Sequence, residues 1–287
     1  MIRRSFGFAF VATIALTACS SSDSAAPAGA AGSGGTGGTG GVEPIGSLVI
    51  LGDSISDRGT EADQTPVAEL WYSLVEQNDD TKFADWKGKD LKTLYPNIKI
   101  VHAAKGGSVG TDLVSQAKGL PASLPGPVYV TVTIGGNDVK AAFINILQAK
   151  DQADRDAFKK ELDDTFDELT KAGRFGTDVK VRIIDANIYD PSDGTGNFAQ
   201  AHCPAPLSLF PPDTATDPLI KPWNDIVSAE VAKYGVRPTV IDIHALFKGH
   251  GVNAGADDWF VGDCNHPNPA GDSALRDAFW GAITSAP

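Results

Sequence analysis

Five short runs rich in Val and Ile constrain this chain more than anything else in it. Ser47-Leu48-Val49-Ile50-Leu51, ending in Gly52, is the first; residues 98–101, 128–134, 179–184 and 239–243 are the others. A run that is apolar throughout, rather than at every second residue, is buried on both faces, as the strands of a parallel sheet are. Parallel strands need long crossovers, and helical patterns lie between these runs. The strongest covers 151–172, where Phe158, Leu162, Phe166 and Leu169 fall on one face and charged residues elsewhere. Further helices are expected over 67–76, 219–233 and 269–283. Strands alternating with helices predict an α/β sheet with helices on both faces, and ligands bind such sheets at the carboxyl ends of the strands.

Composition bounds the rest. The 287 residues, 42% hydrophobic and 21% charged, are ordinary globular material for one large domain or two small ones. A formal net charge of −12 argues against nucleic acid as a partner, because that needs a basic surface. A surface kept soluble by its own charge accounts for the acidity.

The first 46 residues read as lying outside the fold. Arg3 and Arg4 precede an apolar run over 6–18 that is too short to span a bilayer. Leu16-Thr17-Ala18-Cys19 then resembles the bacterial lipobox, which implies a signal peptide over 1–18 and lipid on Cys19. Residues 19–46 are rich in Ser, Ala and Gly, with little to bury, and read as a flexible tether. A lipid followed by a spacer holds a domain near a membrane without inserting it. The expected location is the bacterial cell envelope, anchored by lipid to the outer membrane, or secreted. The domain itself is expected over 47–287. With Cys19 lipidated, Cys203 and Cys264 remain, and in an oxidising compartment they are expected to form a disulfide rather than two buried thiols.

Three segments carry chemistry. The first strand ends in Gly52-Asp53-Ser54, where a serine can expose its hydroxyl at the top of the sheet, although serine after Gly-Asp more often caps a turn. The third strand ends in Gly135-Gly136-Asn137-Asp138; the glycines permit close backbone approach, and the asparagine amide can donate into a site. Near the C-terminus stands Asp263-Cys264-Asn265-His266-Pro267. On a helical turn, positions three apart are neighbours, so Asp263 can accept a bond from the His266 ring, leaving its other nitrogen free as a base. A metal pair would want a third ligand, and His102, His202, His244 and His250 show no ligand spacing with it.

Taken together and in this order, the three segments resemble the GDSL or SGNH hydrolase family, over about 47–287. The resemblance implies a three-layer α/β/α sandwich with a flavodoxin-like parallel sheet of about five strands. It implies that Ser54 is a nucleophile, His266 its base and Asp263 the group orienting that base. It also implies an oxyanion hole made by the backbone N–H of Ser54, that of a glycine and the side chain of Asn137. In the family that glycine follows the second strand. Here Gly107 matches best by its spacing to Thr111-Asp112-Leu113, with Gly106 and Gly110 left open. No metal or organic cofactor is required. The expected activity is that of a serine esterase or lipase acting on acyl esters through an acyl-enzyme. A carbohydrate esterase removing acetyl groups from polysaccharide and a non-catalytic surface lipoprotein are the alternatives. The Gly- and Pro-rich stretch 190–213 reads equally as the lining of an acyl pocket, as a lid or as a plain surface loop. Trp259 and Phe260 read as core rather than site.

Overall fold

The structure is a computed structural model that describes residues 44–57, 66–234 and 239–285. The expected signal segment, Cys19 and the tether up to residue 43 lie outside the described residues. Ile45 is already buried, and Gly46 N–H donates to Pro127 O, so packing begins just ahead of the first strand.

The five expected strands are present: β1 Ser47–Gly52, β2 Lys99–His102, β3 Val128–Thr133, β4 Val181–Ala186 and β5 Thr239–Ile241. All pair in parallel, in the order β2-β1-β3-β4-β5. The helices are α1 Trp71–Glu76, α2 Leu91–Leu94, α3 Gly110–Gly119, α4 Gly136–Ala141, α5 Phe143–Leu147, α6 Gln152–Thr170, α7 Asp217–Val231, α8 Ile243–Leu246 and α9 Pro269–Thr284. The run expected to end at residue 243 stops at Ile241 because the next carboxylate, Asp242, accepts the N–H of Ala245 and starts α8. The helix expected over 67–76 is broken at Leu70, which is extended between a 3₁₀ turn at Val67–Glu69 and α1. There the N–H of Trp71 is taken by Asp272 of α9.

Successive strand residues face opposite layers, and both layers are apolar. Val49, Leu51, Val130 and Val132 meet Leu113 of α3, Leu162 and Phe166 of α6 and Trp223 of α7. Leu48, Ile50, Tyr129 and Ile184 meet α1 and α9, where Trp71 stacks on Phe279 at 3.8 Å. Burial on both faces is why the strands show no polar alternation.

From β1 the chain crosses to β2 on one side, then returns to β3 on the other. The order therefore reverses between β1 and β3, where an open α/β sheet leaves a crevice at its carboxyl edge. Asp53-Ser54 and Gly135-Gly136-Asn137 follow these two strands.

Candidate active site

The turn after β1 depends on a glycine. Gly52 has φ +129°, and a Cβ there would overlap the carbonyl oxygen of Thr133 on β3. With hydrogen in its place the two strand ends close up, and Asp53 N–H donates to Thr133 O at 2.8 Å. Gln116 of α3 clamps the same residue, accepting from Gly52 N–H and donating to Gly52 O, both at 2.8 Å. The Asp53 carboxylate accepts Ile55 N–H at 3.0 Å, and Trp71 Nε1 donates to Ile55 O at 2.7 Å. Ser54 is thus held at the rim of the sheet, half-buried.

Gly135 supplies the second fixed turn. Its φ is +107°, and a Cβ would sit 2.7 Å from Ile188 and 2.9 Å from Phe158. The chain then enters α4, with Asn137 in its first turn. The Asn137 amide donates one hydrogen to Ser108 O at 2.9 Å, which leaves its second hydrogen for a ligand.

The third element arrives from 212 residues away. His266 Nε2 lies 2.6 Å from Ser54 Oγ, and His266 Nδ1 lies 2.5 Å from Asp263 Oδ2. The predicted contact is present, but its form differs from the expected helical turn. Asp263 Oδ1 accepts the N–H groups of Asn265 (2.8 Å) and His266 (2.9 Å) in a tight loop. Cys264, at φ +59°, lets the loop turn, and Val261 N–H donates to His266 O to close it. Tyr189 OH donates to Asn265 O at 2.5 Å, and Asn268 caps α9 just beyond. Such a relay can draw the proton from a serine hydroxyl into the ring while a fixed carboxylate steadies the imidazolium.

Hydrogen bonds separate the three candidate glycines. Gly106 N–H is taken by Asp57 and Gly110 N–H by Asp138, at 3.2 and 3.0 Å. A Cβ at Gly110 would also displace the Glu161 carboxylate. Among the described residues nothing takes the N–H of Gly107 or of Ser54. Those two groups and the second Asn137 hydrogen are thus donors that a ligand could reach.

The profile of the GDSL-like lipase/acylhydrolase family matches residues 50–274. The chain belongs to this family. No curated protein matches it in sequence. Among solved structures it is similar to the lipase Lip_vut3 from a goat rumen metagenome, at 16% identity over 83% of this chain and 97% of that one, with a TM-score of 0.52. Phospholipase A1 from Streptomyces albidoflavus NA297 is similar at 19% identity over 85% and 100%, TM-score 0.50. The acetyl xylan esterase AlAXEase is similar at 15% identity over 83% and 99%, TM-score 0.51. At such identities these likenesses speak for the fold. Membership of the GDSL-like family makes the chain an ester-hydrolysing enzyme.

Beside Ser54 and Asn137 of this GDSL-family enzyme lies a cavity of about 170 Å³. The 190–213 segment forms part of its wall through Phe198, Leu207 and Phe210. Helix α5 forms another part through Phe143 and Ile146, residues that the sequence reading passed over although they follow the Gly135-Gly136-Asn137 motif directly. Trp259 and Phe260 stay out of the cavity. Both pack on Phe247, and Phe260 also meets Tyr189.

The expected disulfide is present. Cys203 and Cys264 are bridged with their Cα atoms 5.6 Å apart, which joins the 190–213 segment to the loop carrying His266. Closing a loop of 61 residues stabilises a chain by about 4 kcal/mol in the entropy account. Cys203→Ser is therefore expected to lower Tm clearly and to reduce ester hydrolysis through a loosened His266. Thermal unfolding and turnover check both effects. Two reactive thiols in the denatured, unreduced Cys19→Ala chain would rule out the bridge.

Charge beneath the site is unusual. Burial pushes the Asp53 carboxyl up to about 7, against the lowering effects of the Ile55 N–H bond and nearby His266. Burial likewise raises Asp138 to about 6, against the bond from Gly110 N–H. Burial would also raise Asp263, but the bonds from the His266 ring and from the N–H groups of His266 and Asn265 outweigh it, so this carboxyl lies below its usual range. For Asp53 the folded value exceeds the unfolded value of about 3.9. Its contribution to stability is therefore full below about pH 4 and is lost as pH rises through about 7. Asp53→Asn keeps an oxygen for Ile55 N–H and removes the titration. The loss of stability between pH 5 and pH 8 should shrink by on the order of 2 kcal/mol in denaturant unfolding. Equal losses in wild type and variant would contradict the buried acid.

Proposed function

We propose that the enzyme is a serine esterase in which Ser54 Oγ attacks the ester carbonyl carbon while its proton passes to His266 Nε2. The carbonyl oxygen becomes an oxyanion held by the N–H groups of Ser54 and Gly107 and by the Asn137 amide. As the carbon–oxygen bond to the alcohol breaks, His266 returns the proton to the departing alkoxide, and Ser54 carries the acyl group. Water, deprotonated by His266, then attacks the acyl carbon. The acid leaves, and the proton goes back to Ser54 Oγ. Asp263 stays ionised throughout and steadies the imidazolium; its lowered pKa fits that task.

The observation that carries this reading is the unbroken chain Ser54–His266–Asp263, at 2.6 and 2.5 Å, beside three N–H donors free to receive an oxyanion. A surface protein that only binds would have no use for such a relay.

Ser54→Ala and His266→Ala should each cost on the order of 10⁴ or more in turnover, and the double variant should be little worse, because the two act as one unit. Asn137→Ala should cost on the order of 10²–10³ in kcat with KM nearly unchanged. Labelling by a fluorophosphonate should follow Ser54 alone. Undiminished hydrolysis by Ser54→Ala would overturn the assignment, and an unchanged kcat in Asn137→Ala would move the donor elsewhere.

As to location, the reading is an enzyme tethered to the cell envelope by lipid on Cys19. The support is the lipobox-like Leu16-Thr17-Ala18-Cys19 followed by a Gly-rich spacer. Cells fed radiolabelled palmitate should label the wild type and not Cys19→Ala. Label retained by the variant would refute the site.

A further inference from the structure

The cavity beside Ser54 distinguishes among esters. We infer that it holds the acyl chain of the substrate, and that the enzyme selects straight acyl groups of roughly six to eight carbons over acetyl; this rests on Ser54 being the nucleophile. The carbon count follows from volume. A dry cavity of about 150 Å³ takes benzene, with its six carbons, and this one is about 170 Å³.

The wall is apolar where a chain would lie. Phe143 and Ile146 come from α5, Phe198 and Phe210 from the 190–213 segment, and Ile188 and Ile220 from the elements after β4. The rings of Phe143 and Phe210 stand 5.0 Å apart, and those of Phe198 and Phe210 5.6 Å, so the two sides meet through aromatic contact.

The buried polar residues of the wall are already engaged. Asn187 donates to Asp242 at 2.8 Å and accepts His244 N–H at 2.9 Å. Asp190 accepts the hydroxyls of Ser192 and Thr216. Lys140 also borders the cavity, but its side chain is exposed. Beyond the Asn137 and Asn265 amides near Ser54, a sugar buried here would find few partners for its hydroxyls, at a cost that an alkyl chain does not incur. An acetyl group would leave most of the cavity empty and forgo the gain from burying methylenes.

Geometry also assigns the cavity to the acyl side of the ester. The departing alkoxide must face His266 Nε2, which protonates it. The cavity runs from Ser54 and Asn137; of the His266 loop, Asn265 borders it at the mouth, but among the described residues the His266 ring takes no part in its wall. The group that enters is the one pointing away from the histidine.

The test is a series of p-nitrophenyl esters from acetate to palmitate, run on the full chain with Ser54→Ala as the blank, beside octyl acetate and acetylated xylan. At roughly fourfold per buried methylene, kcat/KM should rise on the order of 10²-fold from acetate to hexanoate and on the order of 10³-fold to octanoate, and fall again by palmitate. Leu219 also lines the cavity, and Leu219→Trp, which puts a ring into the wall, should lower the octanoate-to-acetate ratio by on the order of tenfold or more. Phe210→Ala should move the optimum to longer chains, and this arm decides the matter if the tryptophan variant does not fold. A preference for acetate or acetylated xylan, with hydrolysis still dependent on Ser54, would overturn the acyl pocket and leave the serine esterase standing. Octyl acetate turned over faster than p-nitrophenyl octanoate would put the cavity on the alcohol side and likewise overturn the inference. Hydrolysis that persists in Ser54→Ala would remove the reading on which it rests.

Discussion

Everything at this site depends on how closely the ends of β1 and β3 approach each other. The bond from Asp53 N–H to Thr133 O forms because residue 52 has no Cβ to keep the strands apart. That contact sets the distance between the turn bearing Ser54 and the helix bearing Asn137. Side chains reinforce it rather than create it. Gln116 holds both backbone groups of Gly52 and also donates to Ser108 Oγ, while the carbonyl of Ser108 holds Asn137. Three segments far apart in the chain are therefore linked by a few polar bonds at the sheet's edge, where bonds to buried groups are expensive to break.

The His266 loop is built separately and brought to this frame. Asp263 folds the loop upon itself, Tyr189 and the Cys203–Cys264 bridge anchor it to the region after β4, and α9 carries the chain away into the core. Its rigidity is thus largely local. Among the described residues its hydrogen bond to the serine side runs from the His266 ring to Ser54 Oγ, an arrangement that suits the proton transfers proposed for that ring.

Much of this was legible in the chain before folding, for identifiable reasons. The strands showed as unbroken apolar runs because both faces are covered. The Asp263–His266 contact showed because it is local, although the carboxylate's bonds to backbone N–H make it a capped loop and not a helical turn. Among Gly106, Gly107 and Gly110 the spacing favoured Gly107 but left the other two open. The sequence could not show that Asp57 and Asp138 take up the N–H groups of Gly106 and Gly110, because these are tertiary contacts. Helix α5 was missed because it is apolar on both sides: Phe143 and Ile146 face the cavity while Ile144 is 59% and Leu147 37% exposed, which erases the amphipathic signal. The role of 190–213 as a wall was one of several equal readings, since its aromatic residues meet their partners only across the fold.

The separation of 212 positions between Ser54 and His266 also bears on biosynthesis. A chain growing from its N-terminus completes β1 and its serine early, and domains fold in that order as they emerge. Until residue 266 has been made and its loop has docked, the serine has no base beside it, and an unassisted hydroxyl is a weak nucleophile. On the proposed reading of Ser54, a truncated or still-emerging chain carries its nucleophile in silent form. In the serine esterase proposed above, hydrolysis would begin only once β5, the His266 loop and α9 are in place.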